Sequence, residues 1–347
     1  MSNDVSRRDF VRTAGVSTAS LALASLMAGT SDAKPPAQAP GRTRTFIRDV
    51  KQARLFDLSF TWDENSPIAG VNPHYSMFLN RTHGPFDPAD PNFSDDHTRG
   101  TRGMFGDNGQ LSFASEVMHW SGQHGAPSID AIGHIGHNGL LFGGVDAAAA
   151  TSDLRGIGRS GVGANLGIDH YATDRLVNRG VLLDVARFLR GDDKPLSPTV
   201  EITANNLMDT AAAQRVSLEP GDTVLIRTGW GQHFTGDPNL YKGNDSPGPS
   251  VDGARFLIDR GAFAVGNDTL TFERRPPIVT TPVFQVFPVH MLVIADHGIH
   301  IIENFFLEEV SAARVYEFLL VVPPIKVRGA SGSALRSFAL VPGVPRG

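Results

Sequence analysis

GVLLDVARFLRGDDKPLSPTVEITANNLMDTAAAQRVSLEPGDTVLIRTGW, residues 180–230, decides the fold. Its ends, GVLLDVARFL (180–189) and GDTVLIRTGW (221–230), are short β-rich apolar runs bounded by Gly, Pro and Asp, and both read as strands. Between them TANNLMDTAAAQR reads as a helix opened by Thr203 as its N-cap. Strand, helix, strand in that order predicts a mixed α/β domain. Working outward, SVDGARFLIDRG (250–261) reads as a second helix ended by Gly261, and AFAVGNDTL (262–270) as a further buried strand. PVHMLVIADHGIHIIENFF (288–306) reads as a helix-like segment broken at Gly298 and followed by a strand. The tail predicts two more strands around a Gly/Ser turn. Upstream, ARLFDLSFTW (53–62) reads as the first strand, and LSFASEVMHW (111–120) alternates like a strand that runs into a histidine-rich segment.

The bulk composition suits a soluble globular chain: 347 residues, 41% hydrophobic, 19% charged. A formal charge of -5, with no Lys/Arg run beyond the first dozen residues, argues against nucleic acid as a partner. The absence of cysteine removes disulfides, thiolate nucleophiles and Cys-ligated zinc, so any metal must be held by nitrogen and oxygen.

The first residues read as an address. SRRDFVR precedes the weakly apolar AGVSTASLALASLMAG, and a Pro-rich polar stretch follows, which is the layout of a cleaved export signal. The paired Arg7 and Arg8 followed by Phe10 resemble the twin-arginine (Tat) type. The apolar run is shorter than the roughly 20 residues that a membrane span needs. The expected organisation is therefore a signal over 1–33, a linker over 34–54 and one domain over 55–347. The mature chain is expected in the periplasm or secreted, without a membrane anchor.

Two clusters carry the chemistry. In HWSGQHGAPSIDAIGHIGHNG (119–139), His124, Asp130 and His134 are separated by small residues and a proline that let the chain fold back, so imidazoles and a carboxylate can converge on one ion. Neutral His with Asp suits zinc, manganese or iron. Turn histidines that bind nothing remain the alternative at this spacing. The second cluster is His290, His297, His300 and Glu303, inside an otherwise apolar run. A carboxylate there is costly unless it is paired or bound to a cation. An ion pair with an arginine from RTGW or ERRPP is the competing explanation.

HGAPSIDAIGHIG, GDTVLIRTGW, VGNDT and PVHMLVIADHGIHIIEN, in this order across residues 55–341, resemble the cyclase family that includes bacterial kynurenine formamidases and isatin hydrolases. The resemblance implies a swivelling β/β/α domain, a mixed sheet with flanking helices, assembled as a dimer or tetramer. It also implies one or two divalent ions, zinc or manganese, and arylformamidase-like hydrolysis of a small-molecule amide, formamide or lactam. The family's first motif, His-x-Gly-Thr-His-x-Asp-x-Pro-x-His, lays its first metal-ligand His on His124, its ligand Asp on Asp130 and its proton-transferring His on His134. The family's later His and Glu ligands fall on His290 and Glu303. The middle ligand His is Ser128 here, and a hydroxyl is a poor zinc donor. His119, His137 or a water held by Ser128 are candidates for that coordination place.

On this reading His124, Asp130, His290 and Glu303 hold the metal, and His134 protonates the leaving nitrogen as general acid. Phe60 and Trp62 are candidates for stacking on an aromatic substrate. The same motif is compatible with a lyase, a dehydratase or a lactone hydrolase, and Ser128 with a catalytically impaired homologue that binds a small molecule.

Overall fold

The computed structural model describes residues 42–70, 72–73, 75–81, 114–123, 125–151, 162–277 and 285–343. His124 and the whole export signal lie outside them. The chain divides into two compact units, Met1–Lys51 and Gln52–Gly347. The described part of the first belongs to a helix, Arg42–Gln52, in the stretch expected to be a linker. Among the described residues no helix is long and apolar enough to cross a membrane.

Fifteen strands are described: β1 (Arg54–Asp57), β2 (Ser76–Arg81), β3 (Ser115–His119), β4 (Ser128–Asp130), β5 (Leu140–Leu141), β6 (Val145–Asp146), β7 (Val177–Leu183), β8 (Glu201–Ile202), β9 (Thr223–Ile226), β10 (Gly248–Pro249), β11 (Ala264–Asn267), β12 (His300–Glu303), β13 (Glu317–Val321), β14 (Gly332–Ala334) and β15 (Phe338–Val341). Nine form one sheet in the order β1-β15-β13-β7-β9-β11-β12-β4-β14. Its centre, β7-β9-β11-β12, is parallel, and the strands on either side are antiparallel. The fold is the expected mixed α/β sheet with flanking helices.

Alternation along β7 shows how the sheet is covered. Val181 and Leu183 point into one core, with Val224, Ile226, Val265 and Ile301, beneath the helices Ala204–Gln214 and Val251–Asp259. Leu182 points into the other, with Leu225, Ile302, Phe56 and Phe318. Burial on both faces explains why the central strands read as continuous apolar runs. Thr203 caps its helix in a reciprocal box with Asn206, as the sequence indicates.

Three local expectations are corrected. The 180–189 run is not one strand: β7 ends at Leu183, and the Asp184 side chain accepts the Arg187 N–H at 3.1 Å to open a helix, Val185–Arg190. Gly191, at φ 75°, closes it in the left-handed region. The first strand stops at Asp57, so Phe60 and Trp62 lie beyond it. The tail holds three strands, because Gly332–Ala334 pairs with β4 at the sheet edge.

The segment 288–306 folds as a short helix, Pro288–His290, a π-helical stretch, Met291–Asp296, a left-handed Gly298 (φ 65°) and then β12. π-Helical turns recur at functional sites, and this one starts directly after His290.

Candidate metal centre

β12 and β4 are antiparallel neighbours, with Ile302 opposite Ile129 and Glu303 opposite Ser128. Side chains two apart on a strand share a face, so Ser128 and Asp130 stand together, and Glu303 stands across from Ser128. His290 reaches the same point from the end of the Pro288–His290 helix. Asp130, His290 and Glu303 each offer one donor atom, all within 4.8 Å of one another. His290 Nε2 lies 3.2 Å from Glu303 Oε1 and 3.9 Å from Asp130 Oδ2. On the same aspartate, Oδ1 is 3.8 Å from His134 Nε2.

Burial opposes a charged imidazole, but hydrogen bonds and charge from Glu273 and Glu303 outweigh it and raise the His290 pKa to about 10. Burial lifts the Glu303 carboxyl to about 7, against the His290 hydrogen bond and with the help of the Asp130 charge. His290 thus stands among three carboxyl groups, the buried Asp130 and Glu273 and the half-buried Glu303. A divalent cation would suit this donor set of one imidazole and two carboxylates.

None of the three arginines considered as a partner for Glu303 takes that role: Arg274 donates to the Pro276 carbonyl. The fully buried Arg227 bonds Glu308 and Asp184. Arg275 donates to the Gly243 carbonyl and Ser246 Oγ and acts on Glu303 only through its field. His297 and His300 also stand apart from the donors. The Nδ1 of each faces a backbone carbonyl, of Leu292 at 2.8 Å and of Asp130 at 2.7 Å.

The other sequence candidates fall in different places. His134 lines the cavity in front of the donors, with its Nδ1 3.4 Å from Gln123 Nε2. Trp62 is on the cavity wall and packs on Tyr75 at 4.3 Å. Phe60 is not on that wall: it stacks on Phe234 at 4.1 Å and meets Phe306 edge-on, so it is a packing residue. His119 ends the exposed β3, and His137 pairs with Asp296 at 2.8 Å; neither belongs to the donor group. Ser128 is buried, and its hydroxyl lies 3.4 Å from Asn304 Nδ2.

Three residues were missed by sequence reasoning: Gln123, Asn304 and Glu273. Glu273 sits in ERRPP, a stretch considered only as a source of arginines. The available signal was a carboxylate directly after TLTF, which overlaps the end of the AFAVGNDTL run read as a buried strand, the same cost argument that singled out Glu303.

Fold and donor set together make a candidate divalent-metal centre on a mixed α/β sheet. The chain belongs to the cyclase family, whose family model, described as "Putative cyclase", matches residues 56–274. That span contains Asp130, His134 and Glu273 and ends before His290 and Glu303. An isatin hydrolase of Roseibium aggregatum is 26% identical over 193 residues, 50% of this chain and 68% of the relative. Among solved structures, that of a novel cyclase superposes with a TM-score of 0.65 at 26% identity, covering 87% of this chain and 93% of the other. Isatin hydrolase A from Ralstonia solanacearum shares the fold at a TM-score of 0.62 and 17% identity, covering 88% and 99%.

Proposed function

We propose that this chain hydrolyses a C–N bond in an amide, formamide or lactam of a small aromatic molecule, with zinc or manganese held by Asp130, His290, Glu303 and, from the family motif, His124. The observation that carries this is the convergence of Asp130, His290 and Glu303 at the floor of an open cavity that also presents His134. When bound, a divalent ion supplies Lewis acidity and makes water a competent nucleophile near neutral pH.

The chain's own residues supply the rest. His134 faces the donors through Nε2, 3.8 Å from Asp130, so this nitrogen is placed to deliver a proton to the leaving amine. Gln123 faces its other nitrogen and steadies the ring. Trp62, Phe234, Leu270 and Phe287 make the walls apolar, which favours a flat aromatic substrate. The isatin hydrolase relative supports this choice of bond. The twin-arginine pattern supports export to the periplasm, and the family resemblance supports a dimer or tetramer.

Ser128 favours one competing reading. With a hydroxyl in the place of the family imidazole, already engaged by Asn304, the site is short of one donor and the chain could serve as an impaired, small-molecule-binding homologue.

The test uses the purified mature protein, its metal content, and a panel of N-formyl aromatics, isatins and lactones. Glu303→Gln keeps shape and removes charge, so it should lower metal content with the fold intact; His134→Ala should keep the metal and lose turnover. Full metal occupancy in Glu303→Gln counts against the site. No turnover of any C–N substrate by metal-loaded protein favours the binding reading, and turnover confined to lactones moves the chemistry to C–O bonds.

A further inference from the structure

Glu273 lies outside the family motifs above, yet among the described residues it makes a 2.6 Å contact to one of the three donor residues. It is 1% exposed and comes from the loop after β11, a different element from those that carry Asp130, Glu303 and His290. One of its oxygens lies 2.6 Å from His290 Nδ1 and accepts the His290 backbone N–H at 3.0 Å. The other accepts the Val289 backbone N–H at 3.2 Å. A single carboxylate thus fixes both the backbone and the ring of His290.

We propose that Glu273 is the positioning residue of the metal centre: it holds the Nδ1–H of His290, and so commits Nε2 to the ion. The geometry leaves little else for it to do. Nε2 is the nitrogen that faces Glu303 and Asp130, and it can offer a lone pair only while the ring proton stays on Nδ1. An acceptor at hydrogen-bond distance from Nδ1 enforces that tautomer and the ring angle together. A carboxylate needed only to cap the start of the Pro288–His290 helix would be satisfied by the two backbone N–H groups; the third bond, to the ring, is what that role does not require. Dependence on Glu273 should be strong here, because Ser128 stands where the family has a further imidazole and His290 is the one histidine in the described donor group.

The inference rests on the reading that Asp130, His290 and Glu303 hold a cation, and the test separates the two. Zinc alone is the probe, with affinity measured by chelator competition on full-length mature chain: wild type, His290→Ala, Glu273→Ala and Glu273→Gln, each checked for fold by circular dichroism. Glu273→Ala should bind zinc roughly 10–100-fold more weakly. Glu273→Gln should be partly rescued, because its amide oxygen still accepts from Nδ1 while its N–H₂ meets the Val289 N–H. If Glu273→Ala does not fold, the Gln variant carries the affinity test. A second readout is ¹⁵N NMR of the zinc-loaded chain, in which wild-type His290 should show a protonated Nδ1 and a metal-bound Nε2. A purely structural role predicts the same ring signature in the folded variants, whereas positioning predicts that it is lost in Ala and kept in Gln. Zinc binding lost in His290→Ala but unchanged in both Glu273 variants overturns this proposal alone. Wild-type affinity in His290→Ala overturns the metal reading and this proposal with it.

Discussion

Ser128→His restores the imidazole that the family motif carries, and the sheet register indicates what it should do. Position 128 shares a face with Asp130 and stands directly opposite Glu303, so a new imidazole would project toward the two carboxylates already in place. Structural zinc sites of about four ligands bind with apparent free energies of about 10–16 kcal/mol, or roughly 2.5–4 kcal/mol per ligand. Against this stands overpacking: Ser128 is 2% exposed and touches Asn304, and a larger side chain in a filled site costs roughly 1–3 kcal/mol. Where the apo protein bears that cost too, it cancels from the affinity and appears as lost apo stability; only a cost confined to the metal-bound form would subtract from the gain. The expected outcome is a rise in zinc or manganese affinity of at least about tenfold, since roughly 1.4 kcal/mol is a factor of ten. A parallel loss of apo stability of roughly 1–3 kcal/mol should accompany it. The assay is chelator competition on wild type and Ser128→His, with urea unfolding of both apo forms. A folded Ser128→His protein with unchanged affinity, beside a His290→Ala protein that has lost its metal, would refute the reasoning, because it would place the ion out of reach of β4.

Three further outcomes follow from other parts of the molecule. Arg227 is fully buried and bonds Glu308 at 3.0 and 2.8 Å and Asp184 at 2.9 Å, so Arg227→Ala strands the buried Asp184 carboxylate and the half-buried Glu308 and should lower stability by roughly 3–5 kcal/mol in urea unfolding; a loss under about 1 kcal/mol contradicts the network. Burial raises the Asp268 pKa from 3.8 to about 6, against hydrogen bonds from the Thr228 N–H and hydroxyl. A raised folded-state pKa means that this group's contribution is fully present below pH 3.8 and is lost as pH rises through about 6, a change of roughly 3 kcal/mol at about 1.4 kcal/mol per unit. Asp268→Asn should flatten the stability curve between those values, and an unchanged slope would show that the carboxyl does not titrate there. Changing Arg7 and Arg8 together to Lys should leave precursor in the cytoplasm on cell fractionation, and undiminished export would remove the twin-arginine reading.

The parts of this molecule that were legible in the sequence are those whose energetics are local. Strand β9 and the Thr203-capped helix follow from apolar runs and a side chain that satisfies an orphan backbone N–H within three residues. Asp184 shows where such reading runs out: an aspartate followed by an apolar run looks alike as a strand interruption or a helix cap, and only the Arg187 N–H at 3.1 Å decides it. Glu303 could be singled out because a carboxylate on a buried strand needs compensation wherever the strand lies. Glu273 meets the same condition, but in ERRPP the arginines draw attention as partners for Glu303; the partners of Glu273 itself are the Val289 and His290 N–H groups and the His290 ring.

What no local rule supplies is the antiparallel pairing of β4 with β12, and that pairing gives the departure at Ser128 its meaning. Because Ser128 faces Glu303, the missing imidazole is missing at the metal-facing side of the sheet and not at a turn. Asn304, the residue after Glu303, is held in the left-handed region at φ 61° with its Nδ2 3.4 Å from the Ser128 hydroxyl and 3.3 Å from the Gly125 carbonyl. Its Oδ1 accepts from the buried Tyr241 hydroxyl at 2.8 Å. The polar groups around position 128 are thus hydrogen-bonded as they stand, so the serine belongs to a settled arrangement in which His290, aimed by Glu273, carries the nitrogen share of the described donor set.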